Sequence, residues 1–283
     1  MDHPGPVVDA DWLTRHIEHP AVRIVDASFH LPDTGRDAAA EFVDAHIPGA
    51  VFFDFNRVAD PANSLPRRFP PADVFAREVG RLGIDNDTHV VAYDTPGLYS
   101  AARVWWLFRQ HGYDRVSILD GGFKLWQAEG RPVASGEASA EPRMFKPGEM
   151  RDLFADQAHV MGIVEGRDEQ LLDARTPGRF AGTEKDRYPG ARGGNIPSSL
   201  NLYWAELLDP QTRRLLPVDE IRARLTRAGI TWDRPVTATC GSGLTACILA
   251  LGLHLAGKDD WRVYDGSWEE WGGRHELPIR SGT

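Results

Sequence analysis

The stretch VTATCGSGLTACILALGL (Val236–Leu253) passes from an apolar, β-branched segment through a cysteine and two glycines into a helix-like apolar run. A short strand turning into a helix through a glycine-bearing loop is the building unit of a parallel sheet. A second stretch, VVAYDTPGLYSAARVWWLF (Val90–Phe108), carries the same order of signals, with Asp94 opposite Cys240 and Gly97 opposite Gly243. Further out, VRIVDA (Val22–Ala27) matches EQLLDA (Glu169–Ala174), HIPGAVFF (His46–Phe53) matches NIPSSLNL (Asn195–Leu202), and VSILDGGFKLW (Val116–Trp126) matches WRVYDGSWEEW (Trp261–Trp271). The chain is therefore an internal repeat with a period of about 147 residues.

In each copy the strands alternate with helical patterns such as PADVFAREVGRLG and PVDEIRARLTRAG, whose apolar residues recur at three and four spacings. That alternation predicts two α/β domains, each a mainly parallel sheet with helices on both faces. Residues 1–134 form the first domain, 135–150 a linker rich in Ser, Ala, Glu and Pro, and 151–283 the second. At 283 residues, two domains of ordinary size can each bury a core without metal or disulfide staples.

Composition narrows the function classes. The net charge of −9 repels polyanions, so nucleic acid is not an expected partner. The longest apolar run falls far short of the roughly 20 residues of a membrane span, and the first residues carry no basic-then-apolar leader. Two cysteines, Cys240 and Cys247, cannot build a disulfide framework, and the expectation is a soluble, cytoplasmic protein. HIEH (His16–His19) lacks the spacing of a metal site, and no phosphate-binding glycine motif is present, so neither metal nor nucleotide cofactor is expected. Trp105, Trp106, Trp268 and Trp271 are assigned to packing.

Cys240 stands where such sheets bind ligands, at the carboxyl end of a strand. Gly241 and Gly243 let the backbone bend tightly and turn amide hydrogens inward, and the following helix adds its positive end. Both favour a thiolate, which makes Cys240 a candidate nucleophile. The first copy keeps the glycine and the helix but has Asp94, so it is read as non-catalytic. Cysteine phosphatases carry an arginine where this loop has Ala246, and the loop supplies neither a second cysteine at Cys-x-x-Cys spacing nor a local histidine base. Cys247 lies on an apolar helix and is read as core.

The stretches DASFHLPDTGRDAAAEFVDAHIPGAVFFD (Asp26–Asp54), LLDARTPGRFAGTE (Leu171–Glu184), ATCGSGLTA and VYDGSWEEWG (Val263–Gly272) resemble the tandem-domain rhodanese sulfurtransferases, in particular the 3-mercaptopyruvate type. The resemblance implies a cysteine in the second domain, Cys240, that takes a sulfane sulfur from a small donor as a persulfide and passes it to a thiol acceptor such as thioredoxin, or to cyanide. It also implies that Gly241, Ser242, Gly243, Leu244 and Thr245 cradle the donor and that Arg179 grips its carboxylate. Thr245 is equally readable as a structural hydroxyl at the helix start.

Thiosulfate-using members carry Arg and Lys after the cysteine, where this chain has neutral Gly241 and Ser242. A unit-charge contact at about 4 Å has a Coulomb energy of about 1 kcal/mol in water and about 4 at an effective dielectric of 20, enough to shift donor preference toward monoanionic 3-mercaptopyruvate. A thiosulfate:cyanide sulfurtransferase and a non-catalytic persulfide carrier or interaction module are the alternatives. The family places a second arginine after a Pro-Glu-Pro stretch, whereas this chain reads GTEKDRYPGARGG, so Arg187 falls about one position short of it and Arg192 is its rival. In the first domain the family's FFDID and downstream histidine are replaced by FFDFN and by Arg67 or Arg68, so Asn56, Arg67 and Arg68 become candidates for binding the donor's anion across the domain cleft.

Overall fold

Helices and short strands alternate along both halves of the chain, as the repeated strand–turn–helix signals require. The computed structural model describes residues 3–31 and 34–281; Pro32 and Asp33 of the quoted first-half stretch, with Met1, Asp2, Gly282 and Thr283, lie outside them. The chain divides into two units, Met1–Arg151 with Gln211–Arg214, and Asp152–Pro210 with Leu215–Thr283. The first contains β1 (Val7–Val8), α1 (Ala10–His16), β2 (Val22–Asp26), α2 (Ala38–Asp44), β3 (Val51–Phe52), α3 (Ala72–Arg81), β4 (His89–Tyr93), α4 (Ala101–Gln110), β5 (Val116–Leu119) and α5 (Gly122–Ala128). The second contains β6 (Phe154–Ala155), α6 (Gln157–Val164), β7 (Gln170–Asp173), α7 (Pro177–Ala181), β8 (Ser199–Asn201), α8 (Val218–Arg227), β9 (Val236–Thr239), α9 (Ala246–Leu255), β10 (Trp261–Tyr264) and α10 (Ser267–Trp271).

Each unit holds one five-stranded sheet, ordered β1-β5-β4-β2-β3 and β6-β10-β9-β7-β8, so the two copies share one topology. The strand pairings within both sheets are parallel. Parallel neighbours need crossover connections, which is why helices follow the strands and flank the sheets. β4 is buried at every position. Its Val91 and Tyr93 join a cluster with Leu13 of α1, Phe42 of α2, and Phe123 and Trp126 of α5, while the strand's period of two turns Val90 and Ala92 to the other face.

In the second sheet α9 is apolar all round, and Ala246 through Leu253 are all buried. Transfer of Ile248, Leu249, Leu251 and Leu253 from water contributes about 6 to 12 kcal/mol at about 1.5 to 3 per side chain. This anchors the helix that carries the Cys240 loop. Trp105, Trp106, Trp268 and Trp271 are fully enclosed.

The chain runs from β7 outward to β8 but from β9 toward β10, so the strand order reverses between β7 and β9. Where adjacent strands send their connections in opposite directions a crevice opens at their carboxyl ends. Asp173 of β7 lies beside Thr239 of β9 in register, which places Cys240 at that crevice.

Residues 135–150, read as a linker, are tied along the first unit. Arg143 N–H donates to Gly80 O (2.8 Å) and Gly148 N–H to His111 O (2.9 Å). Phe145 is buried edge-on against Phe75, Phe108 and Tyr113. No helix of the described residues is long and apolar enough to cross a membrane.

Candidate active site

The loop after β9 is strapped at its start by the first turn of α10. Cys240 N–H donates to Ser267 Oγ (3.0 Å), while the Cys240 and Gly241 carbonyls accept Trp268 N–H (3.0 Å) and Glu269 N–H (2.8 Å). Gly243 has φ +81°, a left-handed turn that glycine adopts without a Cβ clash. Its N–H thereby reaches Cys240 Sγ at 3.2 Å. The Ser267 hydroxyl stands 3.9 Å from the same sulfur and donates to Tyr264 O at 2.8 Å. Behind the loop, the Cys247 thiol donates to Gly243 O (3.2 Å). Cys240 is 1% exposed, with the Gly243 amide donating to its sulfur at the loop that leads into α9.

Thr245 is the N-cap of α9 but makes no side-chain cap bond, so the capping role open to its hydroxyl is not the one it plays. Ser242, Gly243, Leu244 and Thr245 are buried with Cys240, while Gly241 is partly open.

The first unit supplies an internal control. Gly97 has φ +80°, matching Gly243, and Phe123 N–H donates to Asp94 O (3.0 Å) as Trp268 N–H does to Cys240 O. Asp94 Oδ2 sits in the loop's cradle, accepting Ser100 N–H (2.7 Å) and Ala101 N–H (2.8 Å). Burial raises its carboxyl above the usual range, and the amides of Ala101, Ser100 and Gly97 pull it back. Asp94 thus places its own carboxyl group where the second unit holds a sulfur.

Around the Cys240 loop, Arg175 ties three segments together. It makes ion pairs with Asp173 (2.8 Å) and Asp186 (3.0 Å), donates to Gly194 O (2.8 Å), and its guanidinium stacks 4.3 Å from the Trp268 ring. All three charged side chains are at most 3% exposed. Asp186 holds down the segment that continues into Arg187 and Tyr188. Tyr188 lies against Gly241: a Cβ built there would be 2.5 Å from the Tyr188 hydroxyl.

The sequence-assigned arginines divide. Arg179, on α7, makes an ion pair with the exposed Glu184 (3.2 Å) and its N–H donates to Thr176 Oγ1 (3.3 Å). Arg187 is exposed, one residue from Tyr188, and its N–H donates to Asp186 Oδ1 (2.7 Å). Arg192, the rival for the donor, is instead a structural clamp. Its guanidinium donates to the carbonyls of Trp271 (3.2 Å), Gly272 (3.1 Å), Arg274 (2.6 Å) and Leu277 (3.0 Å), because these carbonyls converge where α10 ends.

Asn56, Arg67 and Arg68 lie in the first unit. Asn56 is exposed, and its N–H donates to Asp54 Oδ1 (2.8 Å). Arg67 has φ +58° and stacks 4.8 Å from the Phe29 ring, and Arg68 is 4% exposed. Sequence reasoning missed Arg175, Tyr188 and Ser267. Only Ser267 left a signal, the alignment of Asp-Gly-Ser (265–267) with Asp-Gly-Gly (120–122), since Ser267 at φ +51° takes the left-handed place of Gly122 at φ +61°.

Among the described residues no group of three or more His, Cys, Asp or Glu could hold a metal ion. A family model, the rhodanese-like domain, matches the chain twice, over residues 9–129 and 156–274. The 3-mercaptopyruvate sulfurtransferase of Homo sapiens is 40% identical over 271 residues, covering 94% of this chain and 91% of the relative. The thiosulfate sulfurtransferase of Bos taurus is 39% identical over 274 residues, covering 94% and 91%. The crystal structure of SseA from Escherichia coli, a 3-mercaptopyruvate sulfotransferase, is similar with a TM-score of 0.83 and 35% identity, covering 93% of this chain and 98% of that one. With two matched copies, one shared sheet order in both units and relatives at this identity over nearly the whole length, the chain belongs to the rhodanese family.

Proposed function

We propose that the chain is a sulfurtransferase that moves sulfur from 3-mercaptopyruvate through a persulfide on Cys240 to a thiol or cyanide. In the first step the Cys240 thiolate attacks the donor's sulfur. The carbon–sulfur bond breaks, its electron pair goes to carbon as the enolate of pyruvate, and that enolate takes a proton. In the second step an acceptor thiolate attacks the outer sulfur of the persulfide and restores the Cys240 thiolate. The Gly243 amide beside Sγ supports both steps, since it stabilises the thiolate as attacking group and as leaving group.

The observation that carries the donor assignment is the neutral pair Gly241 and Ser242 after the nucleophile, where a dianion would call for cations. Arg179, paired with the exposed Glu184, is the cation proposed for the donor carboxylate, which would displace that partner. Arg187, next in sequence to the Tyr188 that lies against Gly241, is the second cation proposed. Thioredoxin is a suitable protein thiol, and two free cysteines suit a reducing compartment such as the cytoplasm.

The test is the ratio of kcat/KM for 3-mercaptopyruvate to that for thiosulfate with one common acceptor. A ratio above about ten, a difference of about 1.4 kcal/mol in transition-state binding, is expected. A ratio below one assigns thiosulfate as donor, and full turnover by Cys240→Ser removes the persulfide step altogether.

A further inference from the structure

The segment between α7 and β8 carries a tyrosine to the nucleophile's loop. At Gly241, the residue that follows Cys240, an added Cβ would meet three atoms of the Tyr188 ring: the hydroxyl at 2.5 Å, Cε2 at 2.7 Å and Cζ at 3.0 Å. The phenol therefore occupies the space that any side chain at position 241 would enter. Tyr188 is half-buried, so its ring is shaped into the loop while remaining accessible to a small molecule.

Its position is fixed from both sides. Two residues earlier the buried Asp186 is paired with Arg175 (3.0 Å), and the next residue, Pro189, restricts Tyr188 to extended backbone. Arg175 also stacks on Trp268, whose N–H holds the Cys240 carbonyl. One network thus sets the register of both the nucleophile and the phenol.

We infer that Tyr188 is a donor-selecting residue of the Cys240 site, its hydroxyl hydrogen-bonding a carboxylate or keto oxygen of a monoanionic mercapto-keto acid seated on the loop. The inference rests on Cys240 being the sulfur acceptor. A phenol supplies directional hydrogen bonding without charge, which suffices for one carboxylate but does not offset the dehydration of a compact dianion. Gly241 and Tyr188 are then a reciprocal pair: the missing side chain at one admits the ring of the other, and a cation at position 241 would have to displace it.

The experiment uses the full chain, with steady-state kinetics for both donors and the mass gain of one sulfur on Cys240 as an independent readout. Tyr188→Phe is expected to raise KM for 3-mercaptopyruvate about tenfold with kcat within about twofold, and to lower the ratio of kcat/KM between 3-mercaptopyruvate and thiosulfate by about tenfold. Gly241→Ala is expected to lower kcat/KM for both donors more than about tenfold while Tyr188 is present. Adding Tyr188→Ala should then restore turnover of thiosulfate but not of 3-mercaptopyruvate, an outcome that general damage to the loop does not produce. An unchanged KM in Tyr188→Phe, on a protein that still gains sulfur at Cys240, overturns the role of Tyr188 alone. A wild-type protein that gains no sulfur at Cys240 from either donor overturns the sulfur-acceptor reading and the role of Tyr188 with it.

Discussion

Replacing Ser267 by glycine and, separately, by alanine separates two effects that the structure superimposes at one residue. Ser267 is fully buried in the left-handed region at φ +51°, where a residue other than glycine costs about 1 to 2 kcal/mol. Its hydroxyl accepts Cys240 N–H and donates to Tyr264 O. Removing the hydroxyl orphans those two backbone groups at about 1 to 3 kcal/mol. Ser267→Ala loses the hydroxyl and keeps the strain, so it is expected to destabilise the second unit by about 1 to 3 kcal/mol. Ser267→Gly loses the same hydroxyl but relieves the backbone, so it should unfold at higher urea than the alanine variant, by a stability difference of about 1 kcal/mol. Sulfur uptake at Cys240 should fall in both by a similar factor of about five to ten, since each frees the Cys240 amide and removes the hydroxyl 3.9 Å from the sulfur. Urea unfolding and single-turnover pyruvate release read the two effects independently. Full-rate pyruvate release by the glycine variant would refute the reasoning, because the left-handed serine would then be a tolerated strain with no part in holding the loop.

Two further outcomes follow from buried charge. Burial pushes the Asp26 carboxyl from 3.8 up to about 6, and because the folded state favours the protonated form, stability is present below the unfolded value and lost as pH rises through 6, a loss of about 3 kcal/mol. His89, lowered from 6.5 to about 4 by burial and then by the nearby His3, Arg115 and His16, acts in the opposite sense: its stability is present above 6.5 and lost as pH falls toward 4. Asp26→Asn should therefore make the first unit more stable at neutral pH and leave a stability that climbs between about pH 4 and 6.5, where the wild type is nearly level; urea midpoints across that range check it. Arg175→Gln strands Asp173 and Asp186 and should cost about 3 to 5 kcal/mol, while Arg175→Gln combined with Asp186→Asn should recover part of it in the same unfolding assay.

The repeat, the parallel sheets and the position of Cys240 were legible because each rests on local signals: β-branched strands, glycines in turns and the apolar run of α9. What escaped was set by contacts distant in sequence. β1 and β6 are two residues long and exist only because β5 and β10 offer edges, so no periodicity announces them. The segment 183–192 has no periodic pattern, and the burial of Asp186, the clamp of Arg192 and the approach of Tyr188 to Gly241 all depend on Arg175, Trp268 and α10 arriving from elsewhere. Arg192 looked like a free cation because the carbonyls it satisfies belong to residues 271–277.

Asp94 bears on stoichiometry. The loop of the first unit already has a carboxyl oxygen in its amide cradle, covalently supplied and without a leaving group. On the proposed role of Cys240, a chain built from two copies of one scaffold carries one sulfur equivalent per molecule, and the Asp94 carboxyl group stays in its cradle whether Cys240 is reduced, loaded or oxidised. On that role, oxidation that stops sulfur transfer is an event at the Cys240 sulfur, while the loop of the first half carries no thiol to oxidise.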